Sequence, residues 1–485
     1  MTASPLLAPP YGRMAHRIGG RRVGGRGPVA PVHNPATGEL IAELSLGGAE
    51  DVAAAVAAAQ KAWPAWAATP LKERVQVFFR YRAVLERERE SLAALITEEH
   101  GKIASEADAE IQKAIELCEF ACALPVLAAG QVLEVSRGIE CRLERYPVGV
   151  VASITPFNFP SMVPHWTIPN ALALGNAMVL KPSERVPLSA LRIADLLAEA
   201  GLPAGVFNVV LGAREAAEAL CDHAGVAAIT FVGSTPAAQA VYRRATSALK
   251  RVLALGGAKN HLVVLADAPE QTATTVLGAA VGCTGQRCMA ASVLVATPAT
   301  DHVIERICEL ARSLVPGRDY GPVISPDARD RIEQAITEAE RDGAQVLVDG
   351  RGLRLPGQER AGGFWVGPTV LDRVRPEMRI ARDEVFGPVL AIIRARGLEE
   401  ALEIERRSPF GNAAGIFTRD GSAARALVEG ASAGMIGVNI GVPVPREPFP
   451  FGGWNASKYG VGDITGASSI EFWTRAKKVT VKWER

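Results

Sequence analysis

The sequence predicts an α/β protein made of two α/β lobes and a small β element, and three observations carry that prediction. Between Val148 and Gly257, apolar strand-like runs alternate with helical stretches such as Leu188 to Ala200. The runs are Val148 to Thr155, Ala177 to Lys181, Phe207 to Leu211, Ala227 to Val232 and Arg251 to Leu255. That alternation is the pattern of a parallel sheet covered on both faces. A second set of the same kind runs from about His261 to Val444, with strands at Leu262 to Leu265, Ser292 to Ala296, Val389 to Arg394 and Gly434 to Ile440. Ahead of both, the apolar period drops to two from Gln131 to Tyr146, which predicts a β-hairpin turning at Arg137-Gly138. A chain of 485 residues is also too long for one hydrophobic core.

Taken in order, His16 to Val23 and Pro31 to Ala36 predict short strands and turns. From Ala49 to Glu99, Ala, Val, Leu and Phe recur at three- and four-residue intervals, and helices continue to about Leu127. The hairpin and the two α/β sets follow. Lys477 to Trp483 alternates again and leaves an exposed edge unless paired, for which pairing with another subunit is the simplest remedy. The Gly-x-Gly at Gly460 and Gly462 lies far from the first strand–helix unit and makes a poor Rossmann fingerprint.

Net charge is +1, with acids and bases dispersed, which gives a nucleic-acid or membrane partner no electrostatic footprint and favours a small-molecule substrate. Met1 to Gly12 holds three prolines and no apolar run of signal-peptide length, and no later run reaches a membrane span, so a soluble cytoplasmic protein is expected. The seven cysteines are scattered and odd in number, unlike a secreted disulfide framework, so reduced thiols are expected.

Five segments carry chemistry. Cys288 stands in Gly285-Gln286-Arg287-Cys288-Met289-Ala290, and the adjacent positive charge of Arg287 would favour its thiolate. Asn158 ends an apolar strand between aromatics and prolines, where its amide can aim two N–H donors at a fixed spot. Lys181-Pro182-Ser183-Glu184 follows a strand, the place where dinucleotides bind open α/β sheets, and a carboxylate there accepts ribose hydroxyls but repels a 2′-phosphate. Gly233, Ser234 and Thr235 join a strand to a helix start with Pro236, where backbone N–H groups can hold a pyrophosphate. The fifth is Glu384-Val385-Phe386-Gly387-Pro388, which on its own is a turn with a surface acid. Cys283 and the Cys118/Cys122 pair are expected to be buried small hydrophobes, with no metal site. His165 and His261 are expected to make structural hydrogen bonds.

In this order, from His16 to Trp483, the segments resemble the aldehyde dehydrogenase superfamily. The resemblance implies the aldehyde dehydrogenase fold: a Rossmann-like NAD-binding lobe from residues 1–124 and 147–256, a catalytic α/β lobe from 257–452, and a β oligomerisation element from 125–146 and 465–485. It implies that Cys288 is the nucleophile and that Asn158 forms the oxyanion hole with the Cys288 N–H. NAD contacts are implied for Thr155, Phe157, Lys181, Glu184, Gly233, Ser234, Glu384 and Phe386. A homodimer or homotetramer is implied, with the last strand crossing to a partner.

Ala254, in Leu253-Ala254-Leu255-Gly256-Gly257, aligns with the glutamate that activates water in hydrolytic members. Its lack of a carboxylate, with Gly257-Ala258-Lys259-Asn260-His261 and Arg287-Cys288-Met289-Ala290, resembles the CoA-acylating methylmalonate-semialdehyde branch. In that branch malonate or methylmalonate semialdehyde loses carbon dioxide and leaves as acetyl-CoA or propionyl-CoA. Two arginines there are associated with the substrate carboxylate; Arg287 matches one, and Lys113 stands where the other is expected. Gly387 stands where that branch usually has alanine. Two other readings stay open: a hydrolytic enzyme acting on another acidic or polar aldehyde, and a catalytically silent binding or structural homologue.

Overall fold

The helical periodicity of the N-terminal region becomes five helices: α1 (Ala49–Ala68), α2 (Leu71–Arg87), α3 (Arg89–His100), α4 (Ala104–Cys122) and α5 (Leu124–Leu127). Proline sets the first break, because Thr69, preceding Pro70, is driven out of the helical region to ψ 131°. α3 ends at Gly101, whose φ of 89° is the left-handed conformation of a helix C-terminus. These elements belong to a computed structural model that describes residues 9–355 and 362–483. Most of the proline-bearing N-terminal segment, residues 1–8, lies outside them.

Both sheets have the predicted character. Edge to edge, the first runs Lys458–Tyr459, Arg251–Leu255, Ala228–Val232, Val150–Ile154, Ala177–Lys181, Phe207–Val209, His16–Ile18 and Arg21–Val23. Its five central strands are parallel. Each is buried on both faces: Val151, Leu180 and Leu253 join the core under α2 to α4, whereas Ala152, Val179 and Ile229 join the core under α1. After Val150–Ile154 the chain builds outward in one direction, and after Phe207–Val209 it returns to the other side. The strand order therefore reverses between Val150–Ile154 and Ala228–Val232, and open α/β sheets bind ligands at that switch point, beyond the strand C-termini.

The second sheet runs Gln345–Val348, Thr369–Asp372, Val389–Arg394, Ala291–Ala296, Asn260–Val264, Ala413–Phe417 and Met435–Val438, parallel except for its first strand. Cys288 and Glu384 lie just before the Ala291–Ala296 and Val389–Arg394 strands. The N-terminal edge of this sheet thus meets the C-terminal edge of the first.

The hairpin pairs Gln131–Ser136 with Ile139–Pro147 and turns through Gly138 at φ 73°. The last strand, Thr474–Lys482, pairs antiparallel with Ile139–Pro147 of its own chain, in register from Thr474↔Pro147 to Lys482↔Ile139. Trp473 is fully buried in the first core, and this anchorage delivers the next residue directly beside Pro147. Ile139–Pro147 lies in the middle of this sheet, so Thr474–Lys482 and Gln131–Ser136 are both edge strands, the latter exposed along its whole length. Among the described residues, no helix is long and apolar enough to cross a membrane.

Candidate active site

Where the sheet edges meet lies a cavity of about 1220 Å³. Its walls hold ten of the twelve residues singled out from sequence: Thr155, Phe157, Asn158, Lys181, Glu184, Gly233, Ser234, Cys288, Glu384 and Phe386. Arg287 borders a small adjoining hollow with Cys288 and Glu384. Lys113 stands apart from both linings.

The nucleophile segment departs from regular structure. Cys283, Thr284 and Gly285 follow one another with φ of 48°, 55° and 69°, a left-handed run that the helix Thr272–Val281 leads into. Only glycine fits at 285, because a Cβ there would lie 2.0 Å from the Gly387 carbonyl. Beyond this turn the Cys288 carbonyl accepts from Asn260 Nδ2 and Asn412 Nδ2, both at 2.9 Å. These two asparagines stand at the starts of neighbouring strands and tie the segment to the sheet edge.

Asn158 is buried, and its Nδ2 donates to the Gln286 carbonyl at 2.8 Å. One amide N–H is thereby committed to the nucleophile segment, leaving the other for a ligand. The Asn158 carbonyl accepts from Lys102 Nζ at 2.8 Å. Lys102 is itself paired with Glu110 at 2.6 Å, both side chains wholly buried.

The Cys288 thiol is pushed up to about 12 by burial and then by the nearby Glu384 carboxylate. The backbone N–H groups of Cys288 and Met289, and then Arg287, act in the opposite sense without prevailing. Arg287 thus acts on the thiol in the expected direction, but burial outweighs it. Its guanidinium turns to Glu106, at 2.9 Å, so part of its field is spent on a carboxylate. Burial also raises the carboxyl of Glu384, whose Oε1 accepts from the Ala258 N–H at 3.0 Å. Phe386 meets Phe157 edge-on with centroids 5.8 Å apart, forming an aromatic wall beside the thiol.

Toward the other end, Lys181 Nζ donates to the Pro182 and Gly212 carbonyls and stands 3.7 Å from the partly exposed Glu184 carboxylate. Ser234 caps the helix Thr235–Ser247 without a side-chain hydrogen bond, so its hydroxyl is free to meet a ligand. The donor set fits a dinucleotide: carboxylates at two stations for ribose hydroxyls, and a glycine–serine helix start for phosphates.

Lys113 pairs with Glu447 at 2.6 Å and Glu116 at 3.3 Å. Both cations that the resemblance implies for a substrate carboxylate therefore already face carboxylates of the chain. His165 and His261 are pulled down to about 4 by burial; His165 bonds Tyr81 Oη at 2.9 Å. Ala254 is fully buried in its strand opposite Phe231.

Sequence reasoning missed Lys102, Glu106, Glu110, Asn260 and Asn412. A signal existed for two of them: Glu106 and Glu110 sit among Ala107, Ile111 and Ala114, the apolar stripe of α4, where an ordinary solvated charge does not belong.

Residues 24–479 match the model of the aldehyde dehydrogenase family. A malonate-semialdehyde dehydrogenase 2 of Oceanobacillus iheyensis is 47% identical over 461 residues, 93% of this chain and 94% of that protein. The crystal structure of a methylmalonate-semialdehyde dehydrogenase (DddC) from Oceanimonas doudoroffii superposes with a TM-score of 0.95 at 43% identity, covering 99% of each chain. A Sinorhizobium meliloti 1021 structure complexed with NAD gives a TM-score of 0.95 at 42% identity over 98% of each chain. The fold, the meeting of a cysteine with a dinucleotide-shaped cavity, and these matches agree: this chain belongs to the aldehyde dehydrogenase family.

Proposed function

We propose that the protein oxidises malonate or methylmalonate semialdehyde with NAD and releases the acyl group to CoA. The observation that carries this reading is the meeting of Cys288 and Asn158 in one cavity, with Glu384 the sole carboxylate of the lining in the neighbourhood of the thiol. The family membership and the names of the relatives support it.

In this reading the Cys288 thiolate adds to the aldehyde carbon. The resulting oxyanion is held by the free N–H of Asn158 and the backbone N–H of Cys288. Lys181, Glu184, Gly233, Ser234 and Glu384 would hold NAD, with Thr155, Phe157 and Phe386 along its nicotinamide end; Glu184 favours NAD over NADP. When bound, NAD supplies the acceptor for the hydride lost from the hemithioacetal carbon. Cys288 is left as a thioester, the β-carboxylate departs as carbon dioxide with a proton replacing it, and the CoA thiolate then displaces Cys288. With malonate semialdehyde this gives acetyl-CoA. Without a carboxylate at Ala254, water has no dedicated activator, which suits an acceptor that is already nucleophilic.

Arg287 and Lys113 are the cations assigned to the substrate carboxylate. Their pairing with Glu106 and Glu447 favours a second reading, an aldehyde with an uncharged polar tail. The lobes divide as 1–124 with 147–256 for NAD, 257–452 for catalysis, and 125–146 with 465–485 for assembly into a cytoplasmic homodimer or homotetramer.

The test is NADH formation from malonate semialdehyde with and without CoA, with products identified by mass spectrometry. CoA-dependent acetyl-CoA is the expected result. A free acid formed without CoA would mean that water is activated by another group, and no turnover would direct attention to the second reading.

A further inference from the structure

The two halves of the proposed oxyanion hole are 130 residues apart in sequence and sit on different sheets, yet one helix grips both. On α4, Glu106 Oε1 accepts from the Cys283 N–H at 2.6 Å and from Arg287 Nη2 at 2.9 Å, so it holds the nucleophile segment on either side of Gln286. One turn later, Glu110 Oε1 accepts from the N–H groups of Ser161 and Met162, at 2.7 and 2.9 Å. Its other oxygen pairs with Lys102 Nζ, which donates onward to the Asn158 carbonyl and lies 4.1 Å over the Phe159 ring. Four residues of helix separate the anchor points by ~6 Å along the axis.

We infer that the Glu106/Glu110 pair acts as a ruler: α4 sets the distance between the Cys288 sulfur and the Asn158 amide, and the two carboxylates are positioning residues for the oxyanion step. The physical ground is stiffness. Glu110 and Lys102 are wholly buried and Glu106 nearly so. A buried charge that has found its partners cannot leave them without a large desolvation cost. A tolerance of ~0.5 Å is what a catalytic constellation requires, and a carboxylate shortened by one methylene exceeds it. The inference rests on the assignment of Asn158 and Cys288 made above.

Two reactions of the same thiol separate position from mere integrity. p-Nitrophenyl acetate acylates Cys288 through a tetrahedral oxyanion: the thiolate adds to the ester carbonyl, p-nitrophenolate leaves, and an S-acetyl group remains, with no dependence on cofactor or aldehyde. Iodoacetamide alkylates the same sulfur by displacing iodide, with no oxyanion. Glu110→Asp is expected to slow the p-nitrophenolate burst at least tenfold, up to the ~10²–10³ that loss of one oxyanion donor costs, while alkylation changes less than about twofold. In an Asn158→Ala background the same substitution should add little, because both changes remove one interaction. Glu106→Asp, on the nucleophile side, should alter both rates. If the aspartate variant does not fold, Glu110→Gln serves instead: it keeps an acceptor for Ser161 and Met162 but loses the charge that holds Lys102 on the Asn158 carbonyl, so the burst should again slow at least tenfold with alkylation little changed.

Equal slowing of burst and alkylation in Glu110→Asp, or a loss that adds fully to that of Asn158→Ala, would overturn the ruler alone. An unmodified enzyme that gives no burst would overturn the assignment of Asn158 and Cys288 together with it.

Discussion

At Cys288 two asparagine amides clamp the backbone carbonyl, while burial and Glu384 keep the proton on the sulfur. Only the thiolate reacts with iodoacetamide, so in the cofactor-free protein alkylation of Cys288 should climb with pH and show no plateau below about 10. Glu384→Gln removes a charge that opposes the thiolate; it should move that rise to lower pH and raise the KM for NAD. A plateau near neutrality in the unaltered protein would contradict burial and Glu384 as the forces that hold the thiol protonated. The Lys113–Glu447 pair makes a second claim at this scale. Removing Glu447 as alanine leaves Lys113 only its longer contact with Glu116 and opens it to a substrate carboxylate, so kcat/KM for a carboxylated semialdehyde should rise by about tenfold, the worth of a charge-assisted hydrogen bond of ~1.5 kcal/mol. In that background Lys113→Met should cancel the gain through KM. If neither variant changes the preference between carboxylated and uncharged aldehydes, this pair lies outside substrate recognition.

Among elements, α3 shows how a buried acid is retained for structure. Glu99, its penultimate residue, is wholly buried and accepts from the N–H groups of Leu188 and Ser189, capping the first turn of the helix Pro187–Glu199. Burial pushes its carboxyl up to about 7. Because the folded state then holds a proton that the unfolded chain releases near pH 4.5, its contribution to stability is complete below that value and declines as pH rises to about 7. Glu99→Gln should flatten this part of the Tm against pH curve, and an unchanged slope would assign the decline elsewhere. The same contrast separates what was legible in sequence from what was not. Ten of the residues picked out by type and order line one cavity, because chemistry in α/β folds gathers at strand ends and strand ends are marked by breaks in apolar runs. The hairpin was legible too, since its period of two interrupts a helical context. Glu106 and Glu110 were marked only by their place on the apolar stripe of α4; what they hold was not legible, because the backbone and arginine groups they accept from lie 51 to 181 positions away. The partner of Thr474–Lys482 was hidden for the same reason: register between strands more than 300 residues apart is a property of packing.

For the molecule as a whole, the three-stranded sheet of the hairpin and the last strand projects with Val132, Leu133 and Val135 about half exposed or more, and Trp483 at 81%. Both edges of this sheet are unprotected, and edges carrying such side chains invite pairing with a second copy. Replacing Val132 and Val135 by lysine should lower the mass seen in sedimentation while leaving the p-nitrophenolate burst intact. A species of unchanged mass would place the assembly surface elsewhere.

The chain threads this architecture in an order that matters for its synthesis. The second sheet is laid down between two instalments of the first: the strand Lys458–Tyr459 closes one edge of the cofactor sheet, Trp473 fills its core, and Asn176 reaches across to the Trp473 carbonyl at 3.0 Å. A ribosome that has delivered every residue of the cavity wall has still not delivered the stopper of the lobe that supports it. The nascent protein therefore carries its nucleophile before its first sheet is finished, and a chain halted about thirty residues short would keep the cavity lining and lack the edge strand and tryptophan that close the sheet behind it.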